Sequence, residues 1–166
     1  MNLESKDGIW SIWILPLSGD RKPFRPPAIS NMSVNGYDGL FSPDSRSLAY
    51  FSYETGRPEV YVIPFLSDGA KYQVSTTGAY IPRFGRSSAE FFLATMGNRL
   101  LVGKIGKQSN FRVDAIRPLF QLDLPNFAGP SYDVSADGQR FVVLTVDHTK
   151  STSITLLTNW LAELKK

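Results

Sequence analysis

Apolar and polar positions along the chain fall into short runs separated by turn residues, and most of the runs read as strands. Ile9-Trp10-Ser11-Ile12-Trp13-Ile14-Leu15-Pro16-Leu17 is rich in strand-forming residues, and Ser18-Gly19-Asp20 turns the chain after it. Pro16 marks the end or edge of that strand. The proline-rich stretch from Pro23 to about Ser33 reads as a connector. A first series follows, with strands predicted at 37–41, 47–52, 59–65 and 71–75. Leu48-Ala49-Tyr50-Phe51 is apolar without alternation, as a strand covered on both faces should be. Residues 71–75 alternate and suit an outer edge. A second series is predicted at 81–84, 90–95, 99–105 and 118–122, and a third at 131–135, 140–146 and 153–158 with no evident fourth strand. Leu157, Trp160, Leu161 and Leu164 then fit one face of a short helix.

The series share a motif. Phe41-Ser42-Pro43-Asp44-Ser45 leads into Leu48-Ala49-Tyr50-Phe51, and Val134-Ser135-Ala136-Asp137-Gly138 leads into Phe141-Val142-Val143-Leu144. A worn copy, Phe84-Gly85-Arg86-Ser87-Ser88, leads into Phe91-Phe92-Leu93. Ser42, Gly85 and Ser135 recur at steps of 43 and 50 residues. A period of that length built from short strands marks propeller blades. The predicted fold is all-β, a partial β-propeller of four-stranded antiparallel blades with about three blades per chain. The chain forms one unit: a leading strand pair at 9–24, blades at 36–76 and 80–122, a partial blade at 131–158 and a short helical tail at 159–166.

Composition agrees with this organisation. The 166 residues include 13 glycines and 11 prolines for turns, and 11 Phe, 7 Tyr and 3 Trp for strands. Cysteine is absent, which excludes disulfides and thiol chemistry. The net charge of +3 has its densest basic stretch at Arg21, Lys22 and Arg25, broken by prolines. That is sparser than a nucleic-acid footprint, so no nucleic-acid partner is expected. No apolar run is long enough to span a bilayer and the polar start, Met1 to Asp7, carries no signal peptide. The expectation is a soluble protein without a membrane partner, cytoplasmic as given.

Phe41-Ser42-Pro43-Asp44, Leu48-Ala49-Tyr50, Gly56-Arg57 and Glu59-Val60-Tyr61-Val62 together resemble the WD40-like repeat of TolB-type propellers. Ile12 to Pro23, Tyr72-Gln73-Val74-Ser75-Thr76, Tyr132-Asp133-Val134-Ser135 and the ending from Asn159-Trp160 to Lys166 are similar to a narrower group. This is the C-terminal propeller half of bacterial receptor-like serine/threonine protein kinases typical of Acidobacteria. The repeat's usual Ser-Pro-Asp-Gly turn departs here at Ser45, at Ala136 and throughout Arg86-Ser87-Ser88. No Gly-rich loop, His-Arg-Asp or Asp-Phe-Gly motif is present, so the resemblance implies sensing or interaction and no kinase activity.

Motifs for chemistry are weak. Gly97 to Gly103-Lys104-Ile105 misses the spacing and the Ser or Thr of a phosphate loop. Gly129-Pro130-Ser131-Tyr132-Asp133 lacks the second glycine of a nucleophile elbow, and the single histidine, His148, lies in a polar loop. Asp133, Ser135 and Asp137 give a fragment of an oxygen-ligand loop, but position 144 is Leu where a bidentate Glu belongs, and a turn explains Asp137-Gly138. Asn31-Met32-Ser33 matches a glycosylation acceptor without a secretory signal. Trp10, Trp13, Tyr50, Tyr61, Phe91 and Phe92 are assigned to packing between blades. No catalytic, cofactor-binding or metal-ligating residue is assigned, and the cofactor expectation is none.

Two whole blades, a leading pair and a partial blade leave the circle incomplete. A missing propeller half or a second copy is expected. Two chains head to tail give a six-bladed homodimeric ring if the leading strands of each complete the trailing blade of the other. The expected function is non-catalytic binding or sensing of a protein or small ligand. The binding residues are not singled out, but the loops are 53–58, 96–98 and 147–152 on one side and 43–46, 86–89 and 136–139 on the other. The alternatives are a propeller hydrolase or lyase acting on carbohydrate or peptide, marked by an axial pocket lined by several Asp, Glu or Arg, and an orphan protein without a ligand.

Overall fold

The computed structural model describes residues 2–4, 10–30, 36–85, 90–106, 112–122, 131–145 and 154–158. Its strands are β1 (Asn2–Glu4), β2 (Trp10–Ile12), β3 (Gly36–Phe41), β4 (Ser47–Ser52), β5 (Glu59–Pro64), β6 (Tyr72–Gln73), β7 (Ala79–Phe84), β8 (Glu90–Thr95), β9 (Arg99–Ile105), β10 (Val113–Gln121), β11 (Tyr132–Val134), β12 (Arg140–Leu144) and β13 (Ile154–Thr158). Each strand pairs antiparallel with its neighbour in sequence, giving two four-stranded sheets, β3-β4-β5-β6 and β7-β8-β9-β10. A three-stranded sheet β11-β12-β13 and the pair β1-β2 complete the set. Among the described residues the only helical piece is a single 3-10 turn at Pro27–Ile29. The fold is all-β, a partial propeller.

The tight turns carry the repeat. Ser42 Oγ donates to Asp44 Oδ1 (2.6 Å) and accepts from the Ser47 N–H (2.9 Å), while Asp44 accepts from the Arg46 N–H (3.1 Å). Ser135 donates to Asp137 and accepts from the Arg140 N–H (3.0 Å), and Asp137 accepts from the Gln139 N–H (3.0 Å). The same bonds form whether Pro43 or Ala136 sits between serine and aspartate, so the Ser-x-Asp pair holds the turn. The middle turn, 86–89, lies outside the described residues.

The sheets stack through three apolar layers. Ala49, Val60, Val62, Ala79, Phe84, Phe91 and Leu93 fill the space between the two whole sheets. Ile81, Phe92, Ala94, Leu100, Val102, Leu122, Tyr132, Phe141 and Val143 fill the next. Phe91 and Phe92 are adjacent on β8 and point to different layers, which explains why these central strands show no alternation. The third layer, Leu48, Tyr50, Tyr61 and Ile63, is covered by Ile12 and Ile29 of the leading segment. Tyr50 and Tyr61 therefore stack with each other (centroids 5.7 Å apart) beneath that segment, not between whole blades.

The leading segment departs from its expected form. The strand at 9–17 shrinks to Trp10–Ile12, and its partner is Asn2–Glu4. Ile14 and Phe24 exchange both backbone hydrogen bonds in an isolated bridge. In an antiparallel ladder the next double rungs need the N–H of residues two places away. These places hold Pro16 and Pro26, so the ladder stops in both directions. Trp13 is accordingly outside any strand and half-buried. The fourth strand of the second blade is longer than predicted, with irregular register between Asp114 and Arg117 and between Pro118 and Phe120. Those breaks and the charges of an exposed edge hid its first half from the sequence pattern. The helical tail at 159–166 and the loop carrying His148 lie outside the described residues.

Candidate functional site

The first strands of the three sheets, β3, β7 and β11, lie side by side with β7 in the middle. Both β3 and β7 slip register against their neighbours at matching places, between Tyr37 and Leu40 and between Tyr80 and Arg83. Asp38 (φ 56°) and Ile81 (φ 51°) sit in these bulges with left-handed backbone. Asp tolerates that conformation, whereas a β-branched residue there is strained. The Tyr132 hydroxyl, donating to the Ile81 carbonyl at 2.7 Å, helps hold it. Burial pushes the Tyr132 phenol well above its ordinary value, so it remains a donor.

The bulges re-aim side chains into the space where the strands converge. Arg83 Nη1 lies 3.4 Å from Asp38 Oδ2, and Arg83 Nε lies 3.6 Å from Asp133 Oδ1. Arg83 also donates to the Pro82 carbonyl at 2.7 Å and sits 5.8 Å from the centre of the Tyr132 ring. One guanidinium from the middle strand thus spans carboxylates from the strands on either side. The trio lines a cavity of about 620 Å³ with Leu40, Phe41, Phe84 and Val134, rimmed by Pro43 and Ala136. That volume falls within the range of small-molecule sites. Pro43 and Ala136, from the loops 43–46 and 136–139, are part of this lining. The loops 86–89 and 147–152 lie outside the described residues.

The motifs considered from sequence end up elsewhere. Gly103 and Lys104 lie in the last half of β9, paired with Phe91 and Glu90. Ser131 is buried, and its carbonyl accepts the Leu144 N–H at 2.8 Å. Asp133 and Asp137, read as one fragment, are used separately: Asp133 faces Arg83, and Asp137 is tied into its turn with Ser135, Gln139 and Arg140 (3.2 Å). Among the described residues no three His, Cys, Asp or Glu side chains converge to hold a metal. No described helix is long and apolar enough to cross a membrane. Sequence reasoning missed Asp38 and Arg83. Arg83 and Asp133 do share a repeat position, two residues before the start of their turn at Gly85 and Ser135, but the first copy has Leu40 there, so the repeat does not point to Asp38.

No protein-family model and no curated protein matches the chain. Among solved structures it is similar to TolB from Acinetobacter baumannii, with a TM-score of 0.69 and 18% identity, over 93% of this chain and 36% of that one. A protein from Bacteroides uniformis proposed to be a 6-phosphogluconolactonase gives a TM-score of 0.49 and 14% identity, over 90% of this chain and 47% of that one. A Lactobacillus plantarum protein gives a TM-score of 0.42 and 14% identity, over 95% and 50%. The chain therefore spans about a third of the TolB structure, and the likeness at this identity is one of fold: a TolB-type β-propeller arrangement.

Proposed function

We propose that the chain is a non-catalytic binding or sensing module whose ligand, a protein segment or a small molecule, enters the cavity at β3, β7 and β11. The observation that carries this reading is Arg83, held between Asp38 and Asp133 at the wall of a cavity of about 620 Å³. Binding sites of this size are concave, with a few placed polar groups that fix the ligand's orientation. The sequence resemblance to the propeller half of acidobacterial receptor-like kinases adds support, since in such an arrangement the propeller carries recognition and another domain the chemistry.

The cavity also carries the feature named above for a catalytic propeller, an Arg and two Asp together. Against that alternative, each carboxylate is set beside the same guanidinium, an arrangement suited to a fixed charge pattern rather than to a carboxyl poised to move a proton. The lining also offers no hydroxyl or imidazole nucleophile among the described residues. The test is methyl-resolved NMR with a fragment library, run beside assays for esterase, lactone and glycoside hydrolysis. Shifts at Leu40 and Val134 without turnover support binding. Turnover that disappears with Asp133→Asn supports the enzyme.

For assembly we infer a head-to-tail pair of chains closing a six-bladed ring. The third sheet has three described strands, and Val142 on β12 is 43% exposed. The leading segment supplies part of a further blade beside β4 and β5. A native mass of twice 18.5 kDa at micromolar concentration is the expected result, and a monomer overturns it.

A further inference from the structure

We infer that the cavity takes a cationic group joined to an apolar body, such as an arginine side chain next to an aromatic residue in a peptide. The inference rests on the binding reading above and adds the ligand's chemistry.

Charge and exposure in the trio decide the sign. Two carboxylates face one guanidinium, so the cluster carries one net negative charge. The exposures differ in the same sense: the Arg83 side chain is 14% exposed, Asp38 32% and Asp133 69%. Arg83 is engaged by the Pro82 carbonyl, by Asp38 and by the Tyr132 ring. An entering group therefore meets carboxylate before guanidinium. Among the described residues Asp133 meets only the N–H of Val134 (2.9 Å) and, at 3.6 Å, Arg83 Nε, a distance too long for a hydrogen bond. It retains capacity to accept from a donor such as an ammonium or guanidinium. An anion reaching for Arg83 is repelled by both carboxylates first.

The apolar half of the ligand follows from the walls. Phe41 is 43% exposed and packs edge-on against Phe65, with centroids 4.7 Å apart, so its ring is fixed at the cavity edge. Together with Leu40, Phe84, Val134 and Pro43 it makes a surface for an aromatic ring or an aliphatic stem.

The experiment titrates the full chain with N-acetyl-Phe-Arg-amide, its neutral citrulline isostere and N-acetyl-Phe-Glu-amide, read at the Leu40 and Val134 methyls. Phenethylammonium serves as a non-peptide cation. The Arg probe is expected to bind at least about tenfold tighter than the citrulline probe, and the Glu probe weakest. Asp133→Asn should remove most of the preference for the Arg probe over the citrulline probe. Asp38→Asn, whose new side chain also tolerates positive φ, is the second variant. A peptide that outbinds phenethylammonium points to a protein segment as the natural ligand, and the reverse points to a small amine. Citrulline or Glu probes binding as tightly as Arg overturn the cationic class and leave the binding reading standing. No shift with any probe overturns both.

Discussion

Ser45 and Gly138 occupy the same step of two turns, and both have left-handed backbone, at φ 56° and φ 70°. Each follows the aspartate that caps its turn, and each N–H returns to the serine carbonyl three residues back, at 2.8 Å and 2.9 Å. Glycine adopts this conformation without steric cost, whereas a residue with a Cβ pays about 1 kcal/mol. The first copy of the repeat therefore carries strain that the third does not.

Ser45→Gly should raise stability by roughly 0.5–1 kcal/mol, which corresponds to about 1–4 °C in Tm for a domain of this size. Gly138→Ser should lower it by a similar amount. Thermal unfolding of the two variants checks the pair, and a loss of stability in Ser45→Gly contradicts the strain argument.

The same turns respond to acid. The Ser42 hydroxyl, followed by the Arg46 N–H, holds the Asp44 carboxyl below its ordinary value of 3.8. Ser135 and then the Gln139 N–H do so for Asp137. A carboxylate whose folded pKa is depressed contributes stability that is full above the unfolded value and is lost as pH falls through the lower folded value. Denaturant midpoints should therefore decline as pH drops below 3.8. The double variant Asp44→Asn/Asp137→Asn should start less stable at neutral pH and show a shallower decline. Equal slopes for both proteins rule out these turns as a source of acid sensitivity.

The repeats were legible because turn chemistry and central strands are local. Ser-x-Asp at Ser42 and Ser135 fixes a turn by bonds that reach only five residues along the chain. The apolar runs of β4, β5, β8 and β9 follow from burial on both faces. The cavity was not legible in the same way. Asp38, Arg83 and Asp133 come from three blades, and what brings them together is the bulge at Asp38 and Ile81, where positive φ leaves no mark on the hydrophobic pattern. The leading segment was misjudged because Pro16 and Pro26 act on rungs of a ladder whose register is a tertiary fact.

Gly103 marks a place where only hydrogen fits. A Cβ added there lies 2.2 Å from Val113 Cγ1 and 3.1 Å from Ile116 Cγ1, on the irregular strand β10 that pairs beside it. Valine is stiff about χ1 and has little freedom to yield. Gly103→Ala should cost about 1–3 kcal/mol. Gly103→Ala combined with Val113→Ala should recover part of that loss, measured by urea unfolding. A neutral single variant means that β10 moves away at negligible cost.

Glu59 is wholly buried at the start of β5, and its carboxylate is satisfied from three directions. Arg57 Nε reaches Oε1 at 2.7 Å, the Gly78 N–H reaches it at 3.0 Å, and the Ser75 hydroxyl donates to Oε2. Ser75 Oγ in turn accepts the Val60 N–H at 2.9 Å, so one hydroxyl serves both the carboxylate and the backbone of the next residue. Because Arg57 is itself 56% exposed, its ion pair is screened, and the buried donors carry more of the weight. Ser75→Ala leaves a buried carboxylate oxygen and a buried N–H each short of a partner, with an expected cost of about 1–3 kcal/mol. Arg57→Gln should cost less, about 1 kcal/mol or below. Equilibrium unfolding of the two variants decides the order. A larger loss for Arg57→Gln than for Ser75→Ala makes the ion pair, not the serine, the group that holds the end of the first blade against Gly78.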